Sequence, residues 1–193
     1  MSDINKRVIS LISLCLCLLI NYCLADQAEP DPELRAQLVA AINSTDGFSD
    51  RFEAEVWLVD MAKRLGSRIP DGKKRLALLK LVHNEATKAD LPPELVLAVI
   101  EVESNFDQWA ISKTGAQGLM QVMPFWLKEI GHPEDNLFRP KTNLRLGCTI
   151  LRYYMSKEDG DLPRALARYN GSLGKTSYSD KVLNALQERW FRQ

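Results

Sequence analysis

The chain has 193 residues, of which 46% are hydrophobic and 26% are charged. This composition predicts one ordinary hydrophobic core and excludes a disordered chain. Ten Gly and nine Pro exclude collagen-like and low-complexity sequences. Basic and acidic side chains number 25 each, so no overall positive field favours nucleic acid as a partner.

The N-terminus has the three-part layout of a secretory signal peptide. Lys6 and Arg7 form a short positive region, and an apolar run from Val8 to Ile20 follows. Cys23-Leu24-Ala25 then places small residues at the first and third positions of a cleavage site. We predict that residues 1–25 are removed after Ala25 and that the protein is exported. An uncleaved membrane anchor is the alternative, although the run is shorter than the about 20 residues that a spanning helix needs.

The rest of the chain is predicted to be helical. Residues 26–70 are interpreted as an N-terminal helical extension, and Gly66 is a natural stop for its helix. The predicted helices are, in chain order, Arg51–Leu65, Lys73–Lys88 and Pro93–Asn105, then two helices opened by Pro140 and Pro163, and a last helix capped by Ser179. No alternating apolar pattern is long enough to predict a strand. The predicted fold class is therefore all-α.

The helix from Pro93 to Asn105 places a carboxyl group on an apolar face. Val96, Val99 and Ile100 share a side with Glu103, whereas Glu101 falls on a face that we expect to be solvated. Burial penalises the ionised form and raises a carboxyl pKa, and a carboxyl that keeps its proton near neutral pH can act as a general acid. The alternative is a structural Glu that backbone N–H groups or an Arg satisfy.

A glycine-punctuated loop follows this helix. It runs from Ser112 to Pro124, with Gly115 and Gly118 in its first half. Glycines permit tight turns and the close approach of a ligand to the backbone. Alone, two glycines are a weak signal of a binding site.

Three motifs in order make the pattern specific. They are Glu103-Ser104-Asn105-Phe106 with Ser112 and the run Gly115–Pro124, then Asn143–Cys148, then Ala167-Arg168-Tyr169-Asn170-Gly171. Together they resemble the soluble lytic transglycosylase family of the lysozyme superfamily, over about residues 75–190. The resemblance implies a lysozyme-like helical domain at residues 71–193. It also implies a substrate, the glycan strands of bacterial peptidoglycan, and therefore a periplasmic or cell-envelope location.

The resemblance implies a role for each matched residue. Glu103 matches the single acid/base, which cleaves the bond between N-acetylmuramic acid and N-acetylglucosamine without water and leaves a 1,6-anhydro end. Tyr169 matches a tyrosine that reaches the catalytic carboxyl. Four further residues match family positions that line the sugar cleft, namely Ser112, Met120, Gln121 and Asn170. Trp109, between the acid and the glycines, is a further sugar-binding candidate. No cofactor or metal is implied, and a partner in envelope or secretion machinery is compatible with this function.

Two other functions stay open. A hydrolytic muramidase would need a second carboxylate, for which the candidates are Asp60, Asp107, Asp135 and Asp161. A non-catalytic peptidoglycan-binding module would keep the fold without turnover. The chain also departs from the family pattern: Arg168 stands where a small residue is usual, and Phe125-Trp126 stands where Gly-Thr is frequent.

The remaining cysteine, histidine and tryptophan residues are interpreted as structural and not as catalytic or metal-binding. Cys148, the last cysteine once the signal is removed, follows Gly147 in mid-helix, which is typical of close helix packing and not of a Cys–His nucleophile. His83 and His132 lack the spacing of a zinc site. Trp57 and Trp190 are predicted to lie in the core.

Overall fold

The structure is a computed structural model that describes the backbone of residues 51–191 and the side chains from residue 57 onward. The predicted signal peptide, its cleavage site and the first half of the extension lie outside the described residues. The described chain forms seven α-helices and a closing π-helical turn. These are α1 (Arg51–Arg64), α2 (Gly72–Lys88), α3 (Pro93–Ser104), α4 (Phe125–Ile130), α5 (Pro140–Lys157), α6 (Leu162–Tyr169), α7 (Ser177–Ala185) and the π-turn (Leu186–Trp190).

The prediction of an all-α fold is confirmed for this part of the chain, which contains isolated β-bridges but no strand. None of its helices combines the length and the apolar character that a membrane span requires. The predicted bounds of the first three helices agree with α1, α2 and α3 to within one residue at each end. The boundary between extension and domain at residue 70 stays a prediction.

Local capping explains where several helices begin. The Asp71 carboxylate accepts hydrogen bonds from the backbone N–H groups of Lys73 and Lys74, and Asp161 caps α6 in the same way. Proline stands at the start of α3 and α5 and in the first turn of α6, where its missing N–H leaves no intrahelical bond unmade.

The start of the last helix was predicted wrongly. Ser179 is not an N-cap, because α7 begins two residues earlier, at Ser177. The Ser179 side chain is buried, and its hydroxyl donates back to the carbonyl of Thr176 at 2.9 Å. A serine hydroxyl can bond backward along a helix as well as forward, so residue type alone does not decide between the two positions.

Helix α3 lies in the centre of the fold, in contact with α2, α7 and the π-turn. All six residues from Leu95 to Ile100 are buried, so the apolar surface goes around the helix and is not the stripe that periodicity predicted. Burial of each large apolar side chain stabilises the fold by about 1.5–3 kcal/mol relative to exposure. This packing fixes the helix that ends next to Glu103.

The polar face predicted for α3 is not solvated either. The Glu94 carboxylate accepts a hydrogen bond from the Trp57 indole at 2.9 Å. The Glu101 side chain is only 11% exposed and forms ion pairs with Arg68 and Arg189. The expectation of a solvated Glu101 is therefore wrong, because segments far away in the sequence cover that face. Trp57 and Trp190 are buried, as predicted.

Candidate active site

Glu103 lies in the last turn of α3, and its carboxyl group is largely buried. Burial raises the pKa of Glu103 from 4.5 to about 7. A hydrogen bond from the Tyr178 hydroxyl, at 2.6 Å from Oε1, acts in the opposite direction because it stabilises the ionised form. Near neutral pH the group is therefore present in both states, so it can donate a proton and take one back.

The backbone turns sharply directly after Glu103. Helix α3 ends at Ser104, and both Asn105 and Phe106 have positive φ, 48° and 67°. The Ser104 hydroxyl lies 2.8 Å from the carbonyl of Leu119, to which it donates. This contact ties the end of the helix to the glycine-punctuated loop. Consecutive left-handed residues other than glycine are uncommon, and they are often found at functional sites.

The tyrosine that bonds the Glu103 carboxyl is Tyr178 and not Tyr169. The Tyr169 hydroxyl donates to the backbone carbonyl of Met120 at 2.7 Å, which uses its only proton. Tyr169 still lies close to Glu103: burial is the main cause of its raised pKa, and the charge of Glu103 adds to it. The prediction that Tyr169 reaches the carboxyl is corrected accordingly.

Sequence reasoning missed Tyr178. A usable signal was present, because Tyr178 precedes the apolar stripe of the last helix by one turn, four residues before Val182. An aromatic residue with a polar tip at the end of such a stripe can reach from the core toward a polar group. The structure shows this arrangement, since the Tyr178 ring is buried and its hydroxyl meets Glu103.

Asn143, inside α5, holds the glycine-punctuated loop in place. Its Oδ1 accepts from the N–H of Met120 at 2.8 Å, and its Nδ2 donates to the carbonyls of Gln117 and Leu137 at 2.8 and 2.9 Å. Gly118 has a φ of +74°, and a Cβ there would lie 2.4 Å from Asn143 Nδ2. Only glycine fits this position, because the loop passes directly over the buried amide.

The side chain of Met120 is completely buried and does not face a cleft. It packs against Gly147, where an added Cβ would lie 2.5 Å from the Met120 sulfur, and its sulfur is 3.9 Å from that of Cys148. The prediction that Met120 lines the sugar cleft is therefore wrong. Close packing at Gly147 is confirmed, and burial raises the pKa of the Cys148 thiol, which leaves it a poor nucleophile.

Ser112 and Gln121 stabilise the loop from within. The Ser112 hydroxyl accepts from the N–H of Ala116 at 2.9 Å. The Gln121 amide donates to the carbonyls of Gly118 and Ala110 at 2.9 and 3.2 Å. Asn170 is exposed at the end of α6, directly after Tyr169.

Trp109 lies between Glu103 and the glycine-punctuated loop, and its side chain is 65% exposed. Its ring centroid lies 5.8 Å from that of Phe138, and the neighbouring Ile111 is 64% exposed. The Trp109 backbone is fixed by a hydrogen bond to the Asp107 carboxylate at 2.8 Å. Phe138 was not identified from the sequence, because nothing along the chain links it to Trp109.

Each candidate for a second carboxylate has a structural partner. Asp60 pairs with Arg64 at 2.8 Å, Asp135 pairs with Arg145, Asp107 bonds the Trp109 backbone, and Asp161 caps α6. Among the described side chains no ion pair involves Glu103, and no cluster of three His, Cys, Asp or Glu residues could hold a metal ion.

Arg168, which departs from the family pattern, also has a structural partner. It forms an ion pair with Glu158, at the end of α5, and Arg164 pairs with the same carboxylate at 2.5 Å. The two guanidinium groups lower the pKa of Glu158, with the hydrogen bond from Arg168 as the largest cause. The pair ties α6 to α5 one residue before Tyr169.

Two curated relatives match the chain over part of their length. A transglycosylase of Enterobacteria phage PRD1 is 34% identical over 93 residues, which cover 48% of this chain and 34% of that protein. Membrane-bound lytic murein transglycosylase C of Yersinia pestis (strain Pestoides F) is 31% identical over 128 residues, covering 56% of this chain and 36% of the relative. The chain thus matches about a third of the length of these relatives.

Two solved structures are similar over most of the chain. The 70 kDa soluble lytic transglycosylase SLT70 from Escherichia coli superposes with a TM-score of 0.46 at 20% identity, over 78% of this chain and 27% of that one. An inactive mutant of lytic transglycosylase Slt from Pseudomonas aeruginosa gives a TM-score of 0.47 at 20% identity, over 83% of this chain and 34% of that one.

The sequence model of one protein family, described as the transglycosylase SLT domain, matches residues 80–188 of this chain, which is more than half of its length. This segment begins in α2 and ends in the π-turn, so it contains Glu103, Tyr169, Tyr178 and the glycine-punctuated loop. The resemblance inferred from the three motifs is confirmed. The chain belongs to the transglycosylase SLT domain family.

Proposed function

We propose that this protein is a peptidoglycan lytic transglycosylase in which Glu103 is the single acid/base. The observation that carries the proposal is the state of Glu103, a largely buried carboxyl with a pKa of about 7 and a tyrosine hydroxyl 2.6 Å away. The names of the relatives and the family match support the same activity. The reaction breaks the β-1,4 bond between N-acetylmuramic acid and N-acetylglucosamine.

In the first step, protonated Glu103 donates to the glycosidic oxygen. The bond from C1 of the muramic acid to that oxygen breaks, and N-acetylglucosamine leaves with the proton on its 4-hydroxyl. In the second step, the Glu103 carboxylate accepts the proton of the C6 hydroxyl of the same muramic acid while O6 bonds to C1. The product is a 1,6-anhydro ring, Glu103 is protonated again, and no water is consumed. A pKa near 7 suits both proton transfers.

Tyr178 stabilises the carboxylate that exists between the two steps. Its hydroxyl donates to Oε1, and a hydrogen bond to a charged group is worth about 1.5–3 kcal/mol. Tyr169 acts on Glu103 only indirectly: its hydroxyl donates to the Met120 carbonyl and thereby holds the loop beside Glu103. We assign both tyrosines as positioning residues.

Four of the residues identified from the sequence remain our proposed sugar contacts. Asn170 and Trp109 are exposed, whereas Ser112 and Gln121 are half-buried within the loop that follows the acid. Trp109 offers a rigid aromatic face that the apolar face of a pyranose ring can cover, with Phe138 behind it. Met120 contributes its backbone only, since its side chain is buried.

The engagement of the four candidate carboxylates favours the transglycosylase over a hydrolase. A hydrolase needs a second carboxyl to activate water or to form a covalent intermediate. The aspartates at 60, 107, 135 and 161 are each engaged by a cation or a backbone N–H. The C6 hydroxyl of the substrate replaces the missing nucleophile.

The test is a mass spectrum of the fragments that the purified protein releases from peptidoglycan sacculi. We expect muropeptides that are one water lighter than hydrolysis products and lack a reducible end, and we expect Glu103→Gln to bind sacculi without releasing them. Fragments with a reducing end would replace the proposal by the muramidase. Binding without release by the wild type would replace it by the binding module.

We also propose that the protein acts in the cell envelope after export and cleavage behind Ala25. The layout of residues 6–25 supports this proposal. N-terminal sequencing of the protein recovered from a periplasmic fraction tests it, and Asp26 is the expected first residue. An intact N-terminus in the membrane fraction would show an uncleaved anchor instead.

A further inference from the structure

Glu101 is bound from three directions on the face of α3 opposite Glu103. Its Oε1 accepts a hydrogen bond from Arg68 at 2.6 Å and forms an ion pair with Arg189 Nε at 2.7 Å. Its Oε2 accepts from the Trp190 indole at 2.7 Å. Both oxygens are thus engaged in a setting where the side chain is only 11% exposed. We call Arg68, Glu101, Arg189 and Trp190 the Glu101 cluster.

The partners of Glu101 come from outside the segment that matches the family model, residues 80–188. Arg68 lies in the turn between α1 and α2, and Arg189 and Trp190 end the π-turn. The segments before and after the matched one are also joined directly, because Arg64 donates to the carbonyls of Arg189 and Phe191 at 3.0 and 3.1 Å. The two segments therefore meet on α3.

The cluster also holds the residues that follow Glu103. Arg68 Nε donates to the Asn105 side chain at 3.2 Å, and the Phe106 ring lies 5.6 Å from that of Trp190. Asn105 and Phe106 are the two residues with positive φ at the end of α3. The chain is thus held two residues before Glu103 and again two and three residues after it.

We propose that the Glu101 cluster positions Glu103 by fixing the end of α3 on both sides of it. This inference rests on the proposed function. Glu103 itself meets Tyr178 from α7, with Tyr169 from α6 close by, and no cluster residue bonds it directly. When the cluster is broken, the end of α3 gains freedom and the carboxyl moves relative to the substrate. Water then reaches the carboxyl, so the burial that raises its pKa is partly lost.

The main experiment uses Glu101→Ala in the full chain. We expect kcat on sacculi to fall roughly 10- to 100-fold, because displacement of a catalytic group by about 1 Å has this effect, with KM within about threefold. We also expect the pKa of Glu103, followed by carbon NMR of its carboxyl group, to fall from about 7 toward 4.5. Glu101→Gln keeps an acceptor for Trp190, so it should retain more of kcat than Glu101→Ala.

The matched control is Glu85→Ala in α2. Glu85 is also a buried glutamate, 4% exposed, which accepts from Asn84 at 3.1 Å and pairs with Lys88 at 3.4 Å. It should lower Tm while kcat per folded molecule and the pKa of Glu103 stay at wild-type values. If Glu101→Ala behaves like this control, the cluster is only structural and the inference is overturned.

Two further measurements test the inference if Glu101→Ala does not fold or if the wild type is inactive. If Glu101→Ala does not fold, Arg68→Lys and Trp190→Phe are measured by the same two criteria. If the wild type releases nothing from sacculi, the proposed function fails, but the NMR titration still reports on the cluster. A fall in the pKa of Glu103 in the variants would then support positioning, and an unchanged pKa would overturn it.

Discussion

Two glutamates of one helix, Glu101 and Glu103, have opposite environments. Glu101 has two arginines and an indole N–H as partners, so its negative charge is balanced in place. Glu103 has one neutral donor, Tyr178, and a buried carboxyl whose pKa rises to about 7. Residue type and helix are the same, and the difference lies entirely in what packs against each face.

This contrast assigns the two roles. A carboxylate with cationic partners is a fixed anion that can hold other segments in place. A carboxyl that is buried without a cation has little preference between its two states near neutral pH, and this is what an acid/base needs. The sequence distance of two residues puts the two environments on opposite sides of α3.

The sharpest way to test the contrast is to remove each charge in turn. Glu103→Gln should lower kcat by about 10²- to 10⁴-fold, the usual contribution of a general acid/base. Glu101→Gln should lower it by less than roughly tenfold, because its effect is indirect. Rates of fragment release from sacculi measure both. Comparable losses in the two variants would contradict the assignment of Glu103 as the only acid/base.

The pH dependence of stability provides a second test. Glu103 has a raised pKa in the folded state, about 7 against 4.5, so folding favours its protonated form. Its contribution to stability is complete below about pH 4.5 and is lost as the pH rises through about 7. A difference of this size corresponds to about 3 kcal/mol.

Urea unfolding at about pH 4 and about pH 8 measures this contribution. The wild type should lose more unfolding free energy between the two pH values than Glu103→Gln does, because Gln does not titrate. Equal losses in the two proteins would mean that the Glu103 carboxyl is solvated in the folded state.

Tyr178→Phe sharpens the contrast within the Glu103 environment. The hydrogen bond from Tyr178 lowers the pKa of Glu103, so its removal should raise that pKa above about 7. In a plot of kcat against pH, the decrease of kcat on the alkaline side should therefore move to higher pH. We expect kcat to fall roughly tenfold, since a hydrogen bond to a charged group is lost. Tyr169→Phe is the control: it should leave the pH of this decrease close to that of the wild type, because Tyr169 donates to Met120. The reverse result would restore Tyr169 as the partner of the acid.

The sequence predicted six of the seven described α-helices, all except the short α4, because their signals are local. Prolines at helix starts and the apolar residues of α1 to α3 depend on neighbours within a few turns. Glu103 was also identified locally, as a carboxyl at the end of an apolar face. These features follow from chain order, without knowledge of which helices meet.

Apart from the start of the last helix at Ser177, the errors concern contacts between segments that are distant in sequence. Tyr178 meets Glu103 across 75 residues, and Tyr169 meets Met120 across 49. The burial of Glu101 could not be read from local sequence, because the two arginines that cover it lie 33 residues before and 88 residues after it, at positions 68 and 189. A motif names residue types and their order, but it does not state which hydroxyl reaches which oxygen.

The smallest expected effect is on substrate binding, and it concerns Trp109. Trp109→Ala removes an exposed aromatic face and touches neither glutamate, so it should raise KM roughly threefold to tenfold, in keeping with about 0.5–1.5 kcal/mol for an aromatic contact, and leave kcat unchanged. Val59→Ala, at a position 75% exposed on α1, is the control and should change neither constant. Opposite signatures, KM for Trp109 and kcat for Glu101, would separate substrate binding from positioning of the acid. If Trp109→Ala instead lowers kcat at constant KM, its ring positions the loop beside Glu103 and does not bind the sugar.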